Sequence, residues 1–478
     1  MKTPNWAEVG DEATALLSRY LQIDTTNPPG NELVAAEFLA AELERRGLNP
    51  VVTPSAPGRG NVIARLPRTV PSDAVPSPAM ASDELSGATL AEAMPSEATL
   101  SEAQPSEAIL LLHHMDVVTA DPARWSCDPF GGEIRDGYVW GRGALDMKGM
   151  GVMQLLALDL LLRDGRQRTR DVVFVAVADE EVASIPGVLW LLEHHPEALE
   201  GGIVWDEGGF GLLDVFGPSP VFTVAVAEKQ ALWLRLVAEG EPGHGGAPHS
   251  ANANDLLVAA LSRIHRRHER QKLHPVVAAL FGAVAELKPF PMSWVMRHLG
   301  NPFVMALARK TLTAAPAVGA MLQNTLSVTG LHAGSKPNVI PERAEAVLDV
   351  RLLPGEAVDG FIDSLERTIA DRRVRVEVIQ RPSPNAISDY DSLFYRTLAE
   401  VTGRLVPGSV TAPVLTPGAT DSAHFRPRGY QTYGLFPAVI TPDELARFHG
   451  IDERISVDNL RLGTQIIYEV LRTMCDGA

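Results

Sequence analysis

The sequence has 478 residues, which is too long for one ordinary hydrophobic core, so we expect at least two domains. Hydrophobic residues make up 45% of the chain and charged residues 21%, which is typical of a mixed α/β globular protein and excludes a fibrous or wholly disordered one. The net charge of −17 argues against nucleic acid and against an anionic membrane surface as partners, because both repel an acidic protein.

The cysteine content and the hydropathy pattern indicate the cellular setting. Cys127 and Cys475 are the only two cysteines, and neither belongs to a CxxC pair. This excludes a disulfide framework and a thiolate zinc site, and it predicts a protein of the reducing cytoplasm. The N-terminus lacks an apolar core of signal-peptide length, and no run of about 18 apolar residues occurs, so we predict no membrane-spanning segment.

The N-terminal part of the chain predicts two helices followed by short strands. Apolar residues recur at helical spacing over 5–22 and 31–47, and β-like runs follow at 61–66 and 109–112. Between these runs, residues 67–107 are rich in Pro, Ser, Ala and Glu and contain two nearly identical ten-residue repeats. Because this composition buries too little apolar surface to offset the loss of chain entropy, we predict a disordered insertion in a hairpin connection.

The middle of the chain changes from one pattern to another. Helical patterns over 149–163 and 185–194 alternate with strand patterns over 172–178 and 202–205, which predicts a largely parallel sheet covered by helices. From about Val221 the order becomes strand, strand, helix, strand, strand, helix, which predicts a separate α+β sandwich.

A domain inserted into another accounts for this order. Residues 270–322 lie within the sandwich and are rich in apolar and helix-forming types, so we predict a helical insertion there. Its apolar side chains fit either contact with a hydrophobic substrate or simple packing between helices. The predicted domains are one domain in two parts, 1–219 and 383–478, and a second domain at 220–382 that is inserted between them.

Candidate metal ligands first occur at a strand end and in a glycine-rich turn. His114 and Asp116 follow an apolar strand, and residues two apart in a strand face the same side, so the Asp116 carboxylate can hold the His114 imidazole on a metal or form a structural pair with it. Asp146 lies in the turn WGRGALDMKG directly before a helix. It can approach a ligand there, or it can simply cap the helix.

Further acidic residues follow the next two strands. Glu180 and Glu181 come after the strand VVFVAVA, and Asp206 follows the strand GIVW. Taken singly, such acids often belong to solvated turns, but strand ends of one α/β sheet converge at one edge. With His449 near the C-terminus, the set contains only carboxylate and imidazole ligands, which suit catalytic zinc, manganese or cobalt.

Nine short motifs occur in the order HMD, GRGALDMKG, ADEE, DEGG, GEPGHGGAPH, KPNVIP, DVRLLPG, PGATDSAHF and HGIDE. In this order they closely resemble the di-zinc metallopeptidase family of aminoacylases, acetylornithine deacetylase, succinyl-diaminopimelate desuccinylase and glutamate carboxypeptidase. DEGG and the long lid insertion look most like its carboxypeptidase S and N-acyl-amino-acid hydrolase branch. The resemblance implies a zinc-exopeptidase-like α/β fold, in which helices flank a mixed sheet and an α+β lid and dimerisation domain is inserted.

The resemblance also implies a role for each metal-site residue. Asp146 is the carboxylate that bridges two Zn²⁺ ions, for which Co²⁺ or Mn²⁺ can substitute. The ligands that complete one ion are His114 and Asp206, and those that complete the other are Glu181 and His449. Glu180 is similar to the general base of the family, and Asp116 is similar to the acid that orients His114.

In the lid, the resemblance implies residues that contact the substrate. His244, with His249 as the competing candidate, matches the family histidine that reaches across a homodimer and stabilises the oxyanion. Asn338 and Arg351 resemble residues that grip the substrate carbonyl and carboxylate, although Arg351 also fits a surface charge on a strand edge. Gly418 resembles a glycine turn beside the substrate carboxylate.

The leading functional hypothesis is hydrolysis of an amide or peptide bond next to a free carboxylate, in a small peptide or an N-acyl amino acid. A carbamoyl or other non-peptide amide hydrolase of the same family is the first alternative. The second is a non-catalytic binding protein on the same scaffold, which the retained Glu180 and the complete ligand set disfavour.

Overall fold

The computed structural model describes residues 4–69, 108–382 and 386–476. The predicted disordered insertion lies outside the described residues from residue 70 to its end at 107. The chain divides into two compact units. Unit 1 comprises Met1–Val224, Ser388–Thr411 and His424–Ala478, and unit 2 comprises Ala225–Ile387 and Ala412–Ala423.

The described residues contain seventeen strands, several of which were not predicted from the sequence. They are β1 (Pro50–Ala56), β2 (Arg59–Leu66), β3 (Ile109–His114), β4 (Glu133–Arg135), β5 (Tyr138–Trp140), β6 (Val172–Val177), β7 (Ile203–Leu212), β8 (Val221–Glu228), β9 (Gln230–Glu239), β10 (Gly243–His244), β11 (Thr325–Ala333), β12 (Val339–Ile340), β13 (Arg343–Leu352), β14 (Val374–Gln380), β15 (Val410–Thr416), β16 (Gln431–Ile440) and β17 (Arg454–Ser456).

The described α-helices separate these strands. They are α1 (Trp6–Leu21), α2 (Glu32–Glu44), α3 (Lys148–Asp164), α4 (Trp190–His194), α5 (Ala253–His265), α6 (Pro275–Glu286), α7 (Met292–Arg297), α8 (Pro302–Ala314), α9 (Pro316–Met321), α10 (Val358–Ile369), α11 (Leu393–Leu405), α12 (Ser422–Phe425), α13 (Pro442–Leu445) and α14 (Val457–Cys475). Within the described ranges, no helix is long and apolar enough to cross a membrane.

An eight-stranded mixed sheet carries the metal-site candidates. Its strand order is β1-β2-β6-β3-β7-β16-β8-β15, in which β6, β3, β7 and β16 run parallel. The side chains of β3 and β6 are buried throughout, because apolar residues of these central strands are covered on both faces. The mixed α/β fold predicted from the sequence is confirmed.

The predicted hairpin connection between β2 and β3 is wrong. β2 pairs with β1 and β6, and β6 lies between β2 and β3 in the sheet. β3 pairs with β6 and β7 and runs parallel to both. Strand order depends on contacts between residues far apart in the sequence, and the local pattern on which the hairpin prediction rested carries no such information.

Unit 2 contains a four-stranded antiparallel sheet in the order β11-β13-β9-β14. Alternate residues of β9 and β13 are buried, and they pack against the apolar faces of α5 and α10 in one core. This alternation is expected where one face of a sheet is covered by helices. Helices α6 to α9 lie within the predicted helical insertion at 270–322.

Candidate metal centre

His114 lies at the carboxyl end of the central strand β3 and is buried. Its Nε2 atom is 3.1 Å from Oδ1 of Asp146 and 3.6 Å from Oε1 of Glu207. The carboxyl ends of β6, β3 and β7 meet at one edge of the sheet, because these strands are parallel neighbours. The convergence predicted from the strand ends is therefore present.

The two carboxylate oxygens of Asp146 face two different histidines. Oδ1 faces Nε2 of His114, and Oδ2 lies 2.6 Å from Nε2 of His449, which is also 3.5 Å from Oε2 of Glu181. Met147, and not Asp146, occupies the N-cap position of α3, and no side chain caps that helix. The Asp146 carboxylate is thus directed at the site, as a bridging ligand requires.

The structure brings Glu207 within reach of His114, and Glu207 stands in the candidate ligand group where the sequence analysis expected Asp206. The sequence pattern predicted that the strand before Asp206 ends at Trp205. In the structure, β7 continues to Leu212. Asp206 lies opposite Gly434 of β16, whereas Phe210 lies opposite Phe436, so β7 contains a bulge between these points. Bulges re-aim side chains beside active sites, and Glu207 occupies this one.

The glycines of the DEGG motif permit the bulge. Gly208 has a φ of 128°, which residues with a side chain rarely adopt. A Cβ atom on Gly209 would lie 1.8 Å from the backbone oxygen of Thr223. Sequence reasoning missed Glu207 because it ended the strand at Trp205 and not at Leu212, although the glycine pair was an available signal.

Two groups of three ligands share Asp146. One contains His114, Asp146 and Glu207, all buried, and the other contains Asp146, Glu181 and His449. Within each group, one ligand atom from each residue lies within 4.8 Å of the others. Three protein ligands with an open position are typical of catalytic zinc sites. The side chain of His449 is 49% exposed, so the second group is the more open one.

Buried charge in these groups also suits divalent ions. Oε1 of Glu181 is buried without a hydrogen-bond partner among the atoms described. Burial and the carboxylate of Asp146 raise the pKa of Glu207 to about 8. Hydrogen bonds to Asp146 and Glu181 raise the pKa of His449 to about 10. Protons thus supply the positive charge that these carboxylates require, and metal cations would supply it instead.

Asp116 fixes both His114 and the turn that carries the two glutamates. Nδ1 of His114 lies 2.9 Å from the backbone oxygen of Asp116 and 3.4 Å from its Oδ1 atom. The carboxylate of Asp116 accepts hydrogen bonds from the backbone N–H groups of Glu180 and Glu181, each at 3.1 Å. Asp116 therefore connects a candidate ligand to the candidate base, which is more than the orienting role expected from sequence.

A buried polar network holds this turn from behind. The side-chain amide of Asn27 donates to Asp116 at 2.8 Å and to Asp179 at 2.9 Å. Asp179, whose φ is 72°, also accepts from Arg59 at 2.7 Å, and Arg59 donates to the buried Glu32 at 2.8 Å. A connected, buried network of this kind makes the turn rigid. No sequence motif pointed to Asn27 or Arg59.

Glu453 organises the turn that carries Asp146. Its carboxylate accepts from the backbone N–H groups of Gly143, Leu145 and Asp146 at 2.7 to 3.1 Å, and from Arg142 at 2.5 Å. Arg142 also donates to the backbone oxygen of Gly450, the residue after His449. The Glu453–Arg142 pair thus connects the two ligand-bearing loops, a role that the sequence analysis did not assign.

His113 faces away from the ligands, as strand alternation predicts. Its ring is buried, contacts the ring of Phe174 and lies 3.1 Å from the side-chain oxygen of Gln154. Burial lowers its pKa to about 3. His113 is therefore a neutral core residue.

In unit 2, His244 and Asn338 lie side by side. His244 of β10 pairs with Val339 of β12, and the N–H of Gly245 donates to the backbone oxygen of Asn338 at 2.9 Å. The N–H of Gly246 donates to Nδ1 of the exposed His244, so the proton of the neutral ring lies on Nε2. Nε2 of His249 is buried, which makes His244 the accessible histidine of the pair.

Arg351 and Gly418 are the two remaining candidates for substrate contacts, and their surroundings differ. Arg351 is bonded through Nε and Nη2 to both carboxylate oxygens of Asp349, at 2.7 and 3.1 Å, so part of its guanidinium fork is occupied. Gly418 is exposed, its φ is not positive, and no atom lies within 4 Å of a Cβ built on it. The conformation at Gly418 therefore does not require glycine.

Comparison with known proteins shows the family of the chain. The model of peptidase family M20/M25/M40 matches residues 110–473. N-fatty-acyl-amino acid synthase/hydrolase PM20D1 of Xenopus tropicalis is 32% identical over 374 residues, which are 76% of this chain and 72% of that protein. Probable carboxypeptidase S-like 2 of Dictyostelium discoideum is 29% identical over 76% of this chain and 71% of its own length.

A solved structure supports the fold independently. The M20 family metallo-carboxypeptidase Sso-CP2 of Sulfolobus solfataricus superposes with a TM-score of 0.68 at 17% identity, over 97% of this chain and 99% of that one. The predicted resemblance, including its carboxypeptidase S and N-acyl-amino-acid hydrolase branch, is confirmed. The chain belongs to peptidase family M20/M25/M40 and is a hydrolase of that metallopeptidase family.

Proposed function

We propose that this hydrolase cleaves the amide bond of N-acyl amino acids or small peptides at two zinc ions. The observation that carries the proposal is the Asp146 carboxylate, which directs one oxygen toward each of two histidines. His114 and Glu207 would complete one ion, and Glu181 and His449 would complete the other. Glu207 takes the place that the sequence analysis gave to Asp206.

The protein's own groups then have separate tasks. Two divalent ions would polarise the scissile carbonyl and lower the pKa of the attacking water. Glu180, held by the bond from its backbone N–H to Asp116, accepts a proton from that water and delivers it to the departing amide nitrogen. Glu181, the next residue, is directed at His449 instead.

The substrate class rests on the relatives and on Arg351. One relative is named for N-fatty-acyl amino acids and another as a carboxypeptidase, and both kinds of substrate present a free carboxylate beside the scissile amide. A guanidinium group suits that carboxylate, and Arg351 retains Nη1 for it beside Asp349. Asn338 and Gly418 are the further candidates for substrate contacts.

We also propose that the lid forms a homodimer in which His244 reaches the site of the partner. The neutral form of its exposed imidazole carries a proton on Nε2, because Nδ1 accepts from Gly246, so Nε2–H is available to donate to an oxyanion.

A hydrolysis screen with metal control tests the function. Chelator-treated protein is assayed with N-acyl amino acids, dipeptides and N-carbamoyl amino acids, with and without added Zn²⁺, Co²⁺ or Mn²⁺. We expect metal-dependent release of the free amino acid, and loss of turnover when the substrate carboxylate is replaced by an amide. Turnover of the carbamoyl compounds alone would favour the first alternative, and metal binding without hydrolysis of any compound would favour a non-catalytic protein.

A further inference from the structure

The helical insertion exposes several large apolar side chains within a short stretch of chain. Phe290 is 80% exposed, Phe303 86% and Leu307 84%, and Met292 and Trp294 are about half exposed. Isolated exposed apolar residues are normal on protein surfaces, but a concentration of large ones marks an interaction site. We call residues 290–310 the insertion segment.

Helix α8 shows that this exposure is not the outer edge of a buried face. It contains no buried residue. Val304, Met305, Ala308 and Leu312 lie on its partly buried side, whereas Phe303, Leu307 and Ala314 lie on the exposed side. A surface helix usually has polar residues on the face turned from the core. α8 is therefore apolar on two sides, and one of them lacks a covering surface in the part of the chain described.

The charge of the insertion is opposite to that of the whole chain. Residues 270–322 contain six lysines and arginines and one acid, Glu286, whereas the chain has a net charge of −17. Arg297, Arg309 and Lys310 are exposed beside the apolar residues. The net charge of the whole chain argued against an anionic membrane surface as a partner, but this region of the chain is basic and apolar.

We propose that the insertion segment docks the protein on an anionic lipid surface. Helices that lie in a lipid interface combine Trp, Phe and Leu on the buried side with Lys and Arg near the headgroups. Lys310 follows Leu307 by one helical turn on the exposed side of α8, so its aliphatic stem can lie along the apolar stripe while its ammonium contacts phosphate. Each basic residue near such a surface adds to the attraction.

The charge favours lipid over a second copy of the chain. A twofold contact between two insertion segments would bring the same basic residues toward each other, which opposes association. An anionic surface complements both the basic and the apolar side chains. On the proposed function, an N-acyl amino acid with a long acyl chain is an amphiphile that partitions into the same surface. Vesicle binding itself does not depend on that function.

Vesicle flotation with the full chain tests this docking. We expect binding to vesicles of phosphatidylcholine and phosphatidylglycerol in equal parts, and weaker binding to phosphatidylcholine alone or at 0.5 M salt, since salt screens the headgroup charge. The double variant Phe303→Ser, Leu307→Ser should bind the anionic vesicles at least about tenfold more weakly. The affinity of the double variant Arg309→Glu, Lys310→Glu for anionic vesicles should be lower by about tenfold or more, and its binding to neutral vesicles should be retained.

Matched variants separate docking from general surface effects. Val51→Ser, Val258→Ser replaces apolar residues that are 60% and 64% exposed elsewhere, and Arg381→Glu, Arg396→Glu reverses exposed charges elsewhere. Both should bind vesicles like the unaltered protein. The proposal is overturned if the unaltered protein does not float, or if the control and insertion variants weaken binding equally. It is also overturned if Phe303→Ser, Leu307→Ser changes the sedimentation mass and leaves flotation unaltered, which would assign the surface to a second copy.

Discussion

The metal centre of unit 1 and the candidate substrate residues of unit 2 are built differently. In unit 1, His114, Asp116 and Asp146 are buried, and the turns that carry the ligands are held by the carboxylates of Asp116 and Glu453. In unit 2, His244 and Gly418 are exposed, and His244 is held by its two-residue strand and by hydrogen bonds from the backbone N–H groups of Gly246 and Ala247. The groups proposed to break the bond are thus prearranged, whereas those proposed to recognise the substrate are less constrained.

This difference follows from what each region must do. Metal ligands tolerate little displacement, so their positions are fixed by a shell of buried hydrogen bonds. A substrate must enter and leave, and residues that close over it come from less constrained parts of a protein. Variants in the two regions should therefore fail in different ways, and the following predictions test that distinction.

Glu180→Gln should cause the largest loss. Glutamine cannot accept the proton of the attacking water, so turnover should fall by about 10³-fold or more while both metal ions remain bound. Turnover and metal content by atomic emission spectrometry measure the two effects. Glu181→Gln is the matched control, since the neighbouring acid is directed at His449 and its loss should release one ion. Appreciable turnover in Glu180→Gln would remove Glu180 as the base.

Glu207→Gln and Asp206→Asn should separate two adjacent acids in the metal site. Loss of the Glu207 carboxylate should weaken the binding of one metal ion. At metal concentrations that saturate the unaltered protein, turnover should fall by more than about 100-fold, because the loss of a metal ligand has a larger effect than the loss of a residue that only supports a ligand. Asp206→Asn should retain both ions and lose less than about tenfold in turnover. The reverse order would restore Asp206 as the ligand and contradict the geometry of the bulge.

Much of the fold could be predicted because local patterns determine it. The spacing of apolar residues predicts α1, α2 and α3 to within a few residues, and the strand runs predict β3 and β6. The strand ends that carry His114 and Glu181 and the glycine-rich turn that carries Asp146 were expected to meet at one edge of a sheet, and His449 was added from its motif near the C-terminus. The structure brings these four residues together.

The parts that could not be predicted depend on tertiary geometry. The position of β6 between β2 and β3 is set by pairing between distant residues, and the bulge in β7 decides which of two adjacent acids faces His114. The role of Glu453 arises from backbone N–H groups about 310 residues earlier in the chain, for which no side-chain pattern exists. The exposure of Phe303 and Leu307 is likewise a property of packing and not of sequence.

His244→Ala should reduce turnover by about 100-fold with both ions bound, because one donor to the oxyanion is lost. His249→Ala is the control, since its Nε2 atom is buried and cannot reach a substrate without rearrangement. Mixing His244→Ala with Glu180→Gln protein tests action across the proposed dimer, because one intact site forms in each heterodimer. If subunit exchange is demonstrated and the mixture stays inactive, His244 does not act in the partner's site.

Glu453→Gln should have the smallest effect on turnover and a distinct signature. The carboxylate accepts four bonds, from Arg142 and from three backbone N–H groups, and an amide nitrogen would face some of these donors instead. Because the turn carrying Asp146 would loosen, zinc affinity should fall by about tenfold to 100-fold. Turnover should recover to within about threefold at saturating zinc, since no reacting group has changed.

Glu444→Gln provides the comparison for Glu453. Glu444 is also buried and closes a capping box with Thr441 in the loop before His449, but it does not contact the turn of Asp146. The substitution Glu444→Gln should lower the melting temperature of the protein without changing its affinity for zinc. If the zinc affinities of the two variants fall equally, Glu453 acts through general stability. If turnover of Glu453→Gln stays low at saturating zinc in folded protein, Glu453 contributes to the reaction itself, and the unit 1 site depends on more than the placement of its ligands.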